Sequence, residues 1–157
     1  MLRLFALSFV VTVPLPLVAD DKPKEKEKFT LSKEEQQVLD LTNKERKDAG
    51  LKALTANEKL FKAARAHSEN MAKKDELNHT LDGKGPSERL ADSGYGFRSL
   101  GENCAAGQRT PAEAITSWMN SEGHKANLLS EHAEIGIGIA ATADGKKYWT
   151  QVFANPR

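Results

Sequence analysis

Between residues 135 and 139 the chain reads Ile-Gly-Ile-Gly-Ile. In an extended segment successive side chains point to opposite faces. One face of this strand is therefore aliphatic, and the other carries no side chains. Such a strand is either weakened or built so that another backbone, or a ligand, approaches its bare face closely. Asp144-Gly145 then supplies a hairpin turn signal. The return strand from Lys147 to Phe153 divides into Trp149, Gln151 and Phe153 on one face and Tyr148, Thr150 and Val152 on the other.

The upstream residues read as helices. Three Ser/Thr-x-x-Glu sequences read as capping boxes: Ser32 with Glu35, Thr55 with Glu58, and Thr110 with Glu113. They predict helices from Lys33 to Asp48, from Ala56 to Lys74 and from Pro111 to Ser121. Gly50 follows the first as a left-handed cap. Pro111 sits where a helix needs no N–H. Along the second helix Leu60, Ala64, His67, Ser68 and Met71 keep helical spacing, so His67 is expected as a hydrogen-bonded core histidine, with a site residue as the alternative. Residues 75–109 are rich in Gly, Ser and Asp and are expected as loop, with one short helix near Ser87 to Asp92. Helices first and the hairpin last predict an α+β fold rather than a parallel nucleotide-binding sheet. Gly83-Lys84-Gly85 follows no strand and makes no phosphate loop.

Residues 1–19 read as a signal peptide: Arg3, an apolar run from Leu4 to Val18, and a cut after Ala19. Residues 20–31 read as a charged linker, and 32–157 as one domain. No transmembrane segment is expected after cleavage. Removing Arg3 from 23 basic residues leaves 22 against 22 acidic ones. That balance argues against nucleic-acid binding. Cys104 is the only cysteine, so stability must come from packing. It is expected as a small buried apolar residue, with a Cys–His nucleophilic pair as the alternative.

The chemistry-bearing residues are His79 after the second helix, Glu102 in a turn of Gly101-Glu102-Asn103, and His124 beyond the third helix. Two imidazoles and a carboxylate suit a divalent metal, and equally suit acid–base work. Ser121, three residues before His124, fits a nucleophile–base pair but lies in no Gly-x-Ser-x-Gly elbow. Arg46 is either a solvated charge or an anchor for loop carbonyls. Asn127 is expected to cap loop backbone.

Taken in order, these residues resemble the CAP superfamily of cysteine-rich secretory, antigen-5 and pathogenesis-related proteins, most of all its bacterial SCP-like branch. The resemblance runs through Leu41-Thr42-Asn43-x-x-Arg46, His67-Ser68, His79-Thr80, Arg89-Leu90 and Gly101-Glu102-Asn103. It continues through Trp118-Met119-x-Ser121-x-Gly123-His124-x-x-Asn127-Leu128-Leu129, Glu134-Ile135-Gly136-x-Gly138 and Tyr148-Trp149-Thr150-Gln151-Val152-Phe153. It implies an α-β-α sandwich with a central antiparallel sheet, and an extracellular domain whose cleft, in some relatives, holds two His and two Glu around a divalent metal. His79 and Glu102 match that cleft. Ser121 stands where the second Glu is expected, and Tyr148 where the second His is expected. His124 would fill the space from another element. The expected metal ligands are therefore His79, Glu102 and His124, for Zn²⁺ or another divalent cation, with Ser121 and Tyr148 lining the cleft. No catalytic residue is assigned. The expected function is a monomeric, non-enzymatic binding module that is secreted, periplasmic or held at the cell envelope, with a lipid, polysaccharide or protein as ligand. The alternatives are a metal- or His/Glu-dependent hydrolase and a structural envelope module.

Overall fold

The structure is a computed structural model and describes residues 28–157. The expected signal peptide and residues 20–27 of the linker lie outside the described residues. Packing begins before residue 32, because Phe29 meets Phe61 edge-on at 5.3 Å and Leu31 also lies against the core.

Helix α1 (Lys33–Asp48) starts at Ser32 with the full capping box to Glu35. Strand β1 (Thr55–Ala56) precedes α2 (Glu58–Lys74). The expected cap at Thr55 is therefore displaced. The Thr55 and Asn57 amides donate to Ala133 and Ile135 in the sheet, and Asn57 caps the helix instead. Next come α3 (Pro86–Asp92), β2 (Phe97–Ala106), α4 (Pro111–Met119), α5 (Glu122–Leu128), β3 (Glu134–Ala141) and β4 (Lys147–Pro156). Two expectations fail here. The loop expected over 75–109 contains the ten-residue strand β2, so Glu102 lies in a strand and not in a turn. The helix expected to reach Ser121 stops at Met119, and a second short helix carries His124 and Asn127.

The sheet order is β1-β3-β4-β2. The three long strands are antiparallel, and the two-residue β1 adds a parallel edge to β3. One face carries Ile135, Ile137, Trp149 and Phe153, which pack with Val38, Leu39, Ile115 and Trp118 of α1 and α4. The other face carries Tyr148 and Val152 and meets α2 through Leu60, Ala64 and Met71. The bare face of β3 belongs to α2. A Cβ built on Gly136 would lie 2.1 Å from the Leu60 carbonyl carbon, and one on Gly138 would lie 2.1 Å from the Ala64 carbonyl oxygen. The two glycines let a helix backbone rest directly on a strand backbone.

Arg46 is an anchor and not a solvated charge. It is buried, and its guanidinium donates to the carbonyls of Lys52, Leu128, Ser130 and His132. It thereby ties the end of α5 to the loop after α1.

Candidate functional site

Strand alternation along β2 sends Glu102 and Cys104 to the α2 face and Asn103 to the opposite face, in register with Val152, Thr150 and Gln151. β2 is an edge strand, so these residues sit where the sheet meets the segment after α2 on one side and α5 on the other.

The Glu102 carboxylate is the centre of the cluster. Its Oε2 accepts from Arg89 Nη2 at 2.5 Å, and its Oε1 pairs with His79 Nδ1 at 2.9 Å. Arg89 also donates to the carbonyls of His79 and Lys84, so α3 pins the loop that carries His79. Burial pushes the Glu102 carboxyl up, but the hydrogen bond from His79 and the Arg89 charge outweigh it and hold it below the usual carboxylate range. The Glu102 hydrogen bond raises the His79 imidazole, against the opposing effect of burial. His79 is half exposed, with its side chain at 52% of full accessibility, while that of Glu102 is at 3%.

On the other face Asn103 donates to the His124 carbonyl at 2.9 Å. Asn127 donates to the Glu102 carbonyl and to Asn103 Oδ1, so it caps strand backbone rather than loop backbone. The His124 Nδ1 lies 2.9 Å from Ser121 Oγ, and Ser121 makes no side-chain cap to α5. Burial lowers the His124 imidazole, and the nearby His79 charge lowers it further. At the middle of β2, then, Glu102 holds the His79 ring, and the neighbouring Asn103 holds the backbone of His124, whose ring meets Ser121. Tyr148 does not join them. It is fully buried beside Met71, Leu81 and Cys104, and its hydroxyl donates to Asp75.

The expected metal trio does not assemble as a coordination shell. Glu102 pairs with Arg89 through one oxygen and with His79 through the other, while the His124 Nδ1 is paired with Ser121 instead. Among the described residues, the His, Cys and carboxylate donors that come within 4.8 Å of one another as a set of three are His67, Glu102 and Cys104. His124 is outside that set.

His67 also departs from expectation. It is buried as foreseen, yet neither ring nitrogen has a hydrogen-bond partner. Its Nε2 stands 3.9 Å from Glu102 Oε1. Burial lowers the ring strongly enough to outweigh the attraction of Glu102. Cys104 is buried, and burial followed by the adjacent Glu102 charge drives its thiol far up, so it is no ready nucleophile. Arg89 and His67 both appear in the family-like motifs. Their convergence on Glu102 had no signal in spacing, because three separate elements supply the groups.

A family model for CAP, the cysteine-rich secretory protein family, matches residues 39–153. YkwD of Bacillus subtilis (strain 168), described only as an uncharacterized protein, is 40% identical over 126 residues, covering 79% of this chain and 48% of YkwD. The chain thus spans about half the length of that curated relative. A solved extracellular protein containing a SCP domain, from Bacillus anthracis str. Ames, is 33% identical with a TM-score of 0.69, over 78% of this chain and 40% of that one. An outer surface protein of Borrelia burgdorferi shares the fold at a TM-score of 0.74 and 24% identity, over 80% of this chain and 95% of that one. No helix among the described residues is long and apolar enough to cross a membrane.

Proposed function

The chain belongs to the CAP, or cysteine-rich secretory protein, family, and from that premise we propose that it is an exported binding module of the cell exterior or envelope, acting as a monomer without turnover. The observation that carries this reading is the state of Glu102. Its two oxygens are committed to Arg89 and His79, so it is a fixed anion with no proton to give or take near neutral pH. It orients rather than reacts. What it orients is the half-exposed His79 ring, beside His124 and Ser121. That lining is polar, and it favours a ligand with hydroxyl or carboxylate groups, a polysaccharide or peptide, over a bare lipid chain. Export is supported by the apolar leader of residues 1–19 and by the extracellular SCP-domain relative. Divalent metal is not needed at His79, Glu102 and His124 in this reading.

The test is retention of the mature protein on immobilised acidic polysaccharide beside neutral polysaccharide and lipid vesicles. His79→Ala and His124→Ala each weaken retention on the acidic matrix at least tenfold. Retention of both variants equal to wild type, or preference for vesicles, would refute the cleft as the binding site.

One contact favours a second reading as hydrolase, namely the Ser121 hydroxyl on the His124 imidazole. It lacks a carboxylate behind His124 among the hydrogen bonds of that ring. Covalent labelling of Ser121 by a fluorophosphonate would establish it, and no labelling of folded protein would exclude it.

A further inference from the structure

We propose that His67, Glu102 and Cys104 form a buried Zn²⁺ site on the α2 face of the sheet, separate from the His79–His124 cleft and sharing with it only the Glu102 carboxylate. The first support is donor geometry. Zn²⁺ binds nitrogen and oxygen at about 2.0–2.2 Å and thiolate sulfur at about 2.3 Å in a tetrahedron, so neighbouring donors stand roughly 3.3–3.6 Å apart. Here the Cys104 thiol donates to Glu102 Oε1 at 3.6 Å, a contact the cation would replace, and His67 Nε2 to Glu102 Oε1 is 3.9 Å. The third edge is within 4.8 Å. The gap from imidazole to carboxylate is too long for a hydrogen bond and close to what a bridging cation needs.

The second support is His67 itself. Its side chain is 1% exposed, and both ring nitrogens are unpaired. Leaving such a group unsatisfied in a packed core costs about 1–3 kcal/mol. The site lies among Met71, Leu81 and Tyr148. The Asn78 backbone approaches the ring closely enough to favour its charged form, but without hydrogen-bond geometry. A metal on Nε2 removes the deficit at that nitrogen. The remaining donors then take familiar roles. Arg89 on Oε2 and His79 on Oε1 hold the ligating carboxylate in place, as outer partners of metal ligands commonly do. Glu102 and a Cys104 thiolate together offset the two charges of the cation, which leaves the Arg89 charge at the rim of the site, its side chain 10% exposed.

A cavity lies beside the His67 end of the site, lined by neither Glu102 nor Cys104. His67 lines this cavity, of about 380 Å³ between α2 and α3, together with Ala63, Ala66, Leu81 and Arg89. A fourth ligand, a water or a small donor, would enter from there. Binding requires the Cys104 thiol to ionise: the S–H bond breaks, a Zn–S bond forms, and one proton leaves to solvent for each ion bound.

The experiment uses the chain without its leader, freed of metal by a chelator and titrated with Zn²⁺ and with Co²⁺. One equivalent binds, one proton is released, and Co²⁺ produces a thiolate-to-metal charge-transfer band. Cys104→Ala abolishes the band and weakens uptake at least a hundredfold, and His67→Gln does the same for uptake. His124→Ala binds like wild type, which distinguishes this site from a metal in the cleft. If either core variant fails to fold, wild-type protein alone still decides the matter. Absence of stoichiometric uptake, or uptake of Co²⁺ without a thiolate band, overturns the proposal. Uptake lost in His124→Ala but kept in Cys104→Ala overturns it equally.

Discussion

Replacing Gly138 by Ala is the sharpest test of how this fold is held together. A methyl at 138 would lie 2.1 Å from the Ala64 carbonyl oxygen, 2.3 Å from its carbon and 2.5 Å from the Arg65 nitrogen. All three are backbone atoms of α2, so no side chain can swing away. Ordinary contact begins at 3.4 Å, and the helix must therefore retreat by 1.3 Å, the difference between 3.4 and 2.1 Å. A radial gap of even 0.5–1 Å forfeits about a quarter to a half of each contact's attraction. The retreat would be felt by Leu60, Ala64 and Met71, which α2 buries against the sheet. Side-chain overpacking costs about 1–3 kcal/mol, and a clash between two backbones belongs above that range, at about 4 kcal/mol. Against this, Gly→Ala in a strand gains about 0.5–1 kcal/mol through the unfolded chain. The net loss is about 3 kcal/mol. Urea unfolding followed by fluorescence of the buried Trp118 and Trp149 reads it as a midpoint lower by about 1.5 M, taking a slope of about 2 kcal/mol/M. Gly136→Ala, facing Leu60 in the same way, behaves alike. Gly123→Ala is the control, since nothing lies within 4 Å of its Cβ and it sits inside α5. That change should stabilise by up to about 1 kcal/mol. If Gly138→Ala unfolds at or above the wild-type midpoint, the strand and helix backbones are not in contact.

Glu102→Gln keeps the shape of the central group and removes its charge. Breaking a buried pair typically costs about 3–5 kcal/mol, and with the Arg89 side chain at 10% exposure the lower figure is expected. In the same variant the His79 imidazole returns downward toward its usual range, which an NMR titration measures. pH gives a separate test. His67, His124 and His132 are lowered in the fold, each first by burial, so the unfolded chain binds more protons once pH falls below about 6.5. Their contribution is fully present above that pH and is lost as pH falls toward their folded values. His79, raised by Glu102, acts in the opposite sense, giving stability below about 6.5 that is lost as pH rises. Three against one predicts a falling denaturant midpoint between about pH 7 and 5, and a smaller fall in His67→Gln. Arg46→Lys cannot span four carbonyls from one point charge. It should cost about 2 kcal/mol and speed amide exchange over residues 128–132.

Much of the architecture was legible because it was written in periodicity and in glycine. The Ile/Gly alternation marked a strand with one bare face, which the structure fills with the α2 backbone, and the β4 alternation divided that strand's residues between its two faces. β2 was not legible. Its middle, Gly101-Glu102-Asn103, is polar and reads as a turn, because its inward groups satisfy one another by hydrogen bonds rather than by apolar contact. The second capping box misled for a related reason, since Thr55 had already given its amide to the sheet. In the site, His79 and Glu102 pair directly. For His67 the preferred reading as a hydrogen-bonded core residue failed, because helical spacing shows that a residue faces inward but not whether its nitrogens find partners there. Tyr148 was placed at the cleft by its position in the family-like run, yet the α2 face of β4 takes its ring into the core.

The adjacency of the His79 and His124 elements to the core follows from three consecutive residues. Because β2 alternates, Glu102 and Cys104 serve the α2 face while Asn103 serves α5. Asn103 holds the His124 backbone, and Asn127 of α5 returns a bond to the Glu102 carbonyl. A shift of α5 is therefore transmitted through one peptide unit to the carboxylate that orients His79. Arg89 applies the same constraint from α3, through Glu102 Oε2 and the His79 carbonyl. His79 and His124 thus sit on different elements, yet both are referred to one strand residue. Their separation is set by the sheet and not by the loops that carry them. A ligand bridging the two rings would meet a preformed spacing, and it would lose little freedom in the protein on binding.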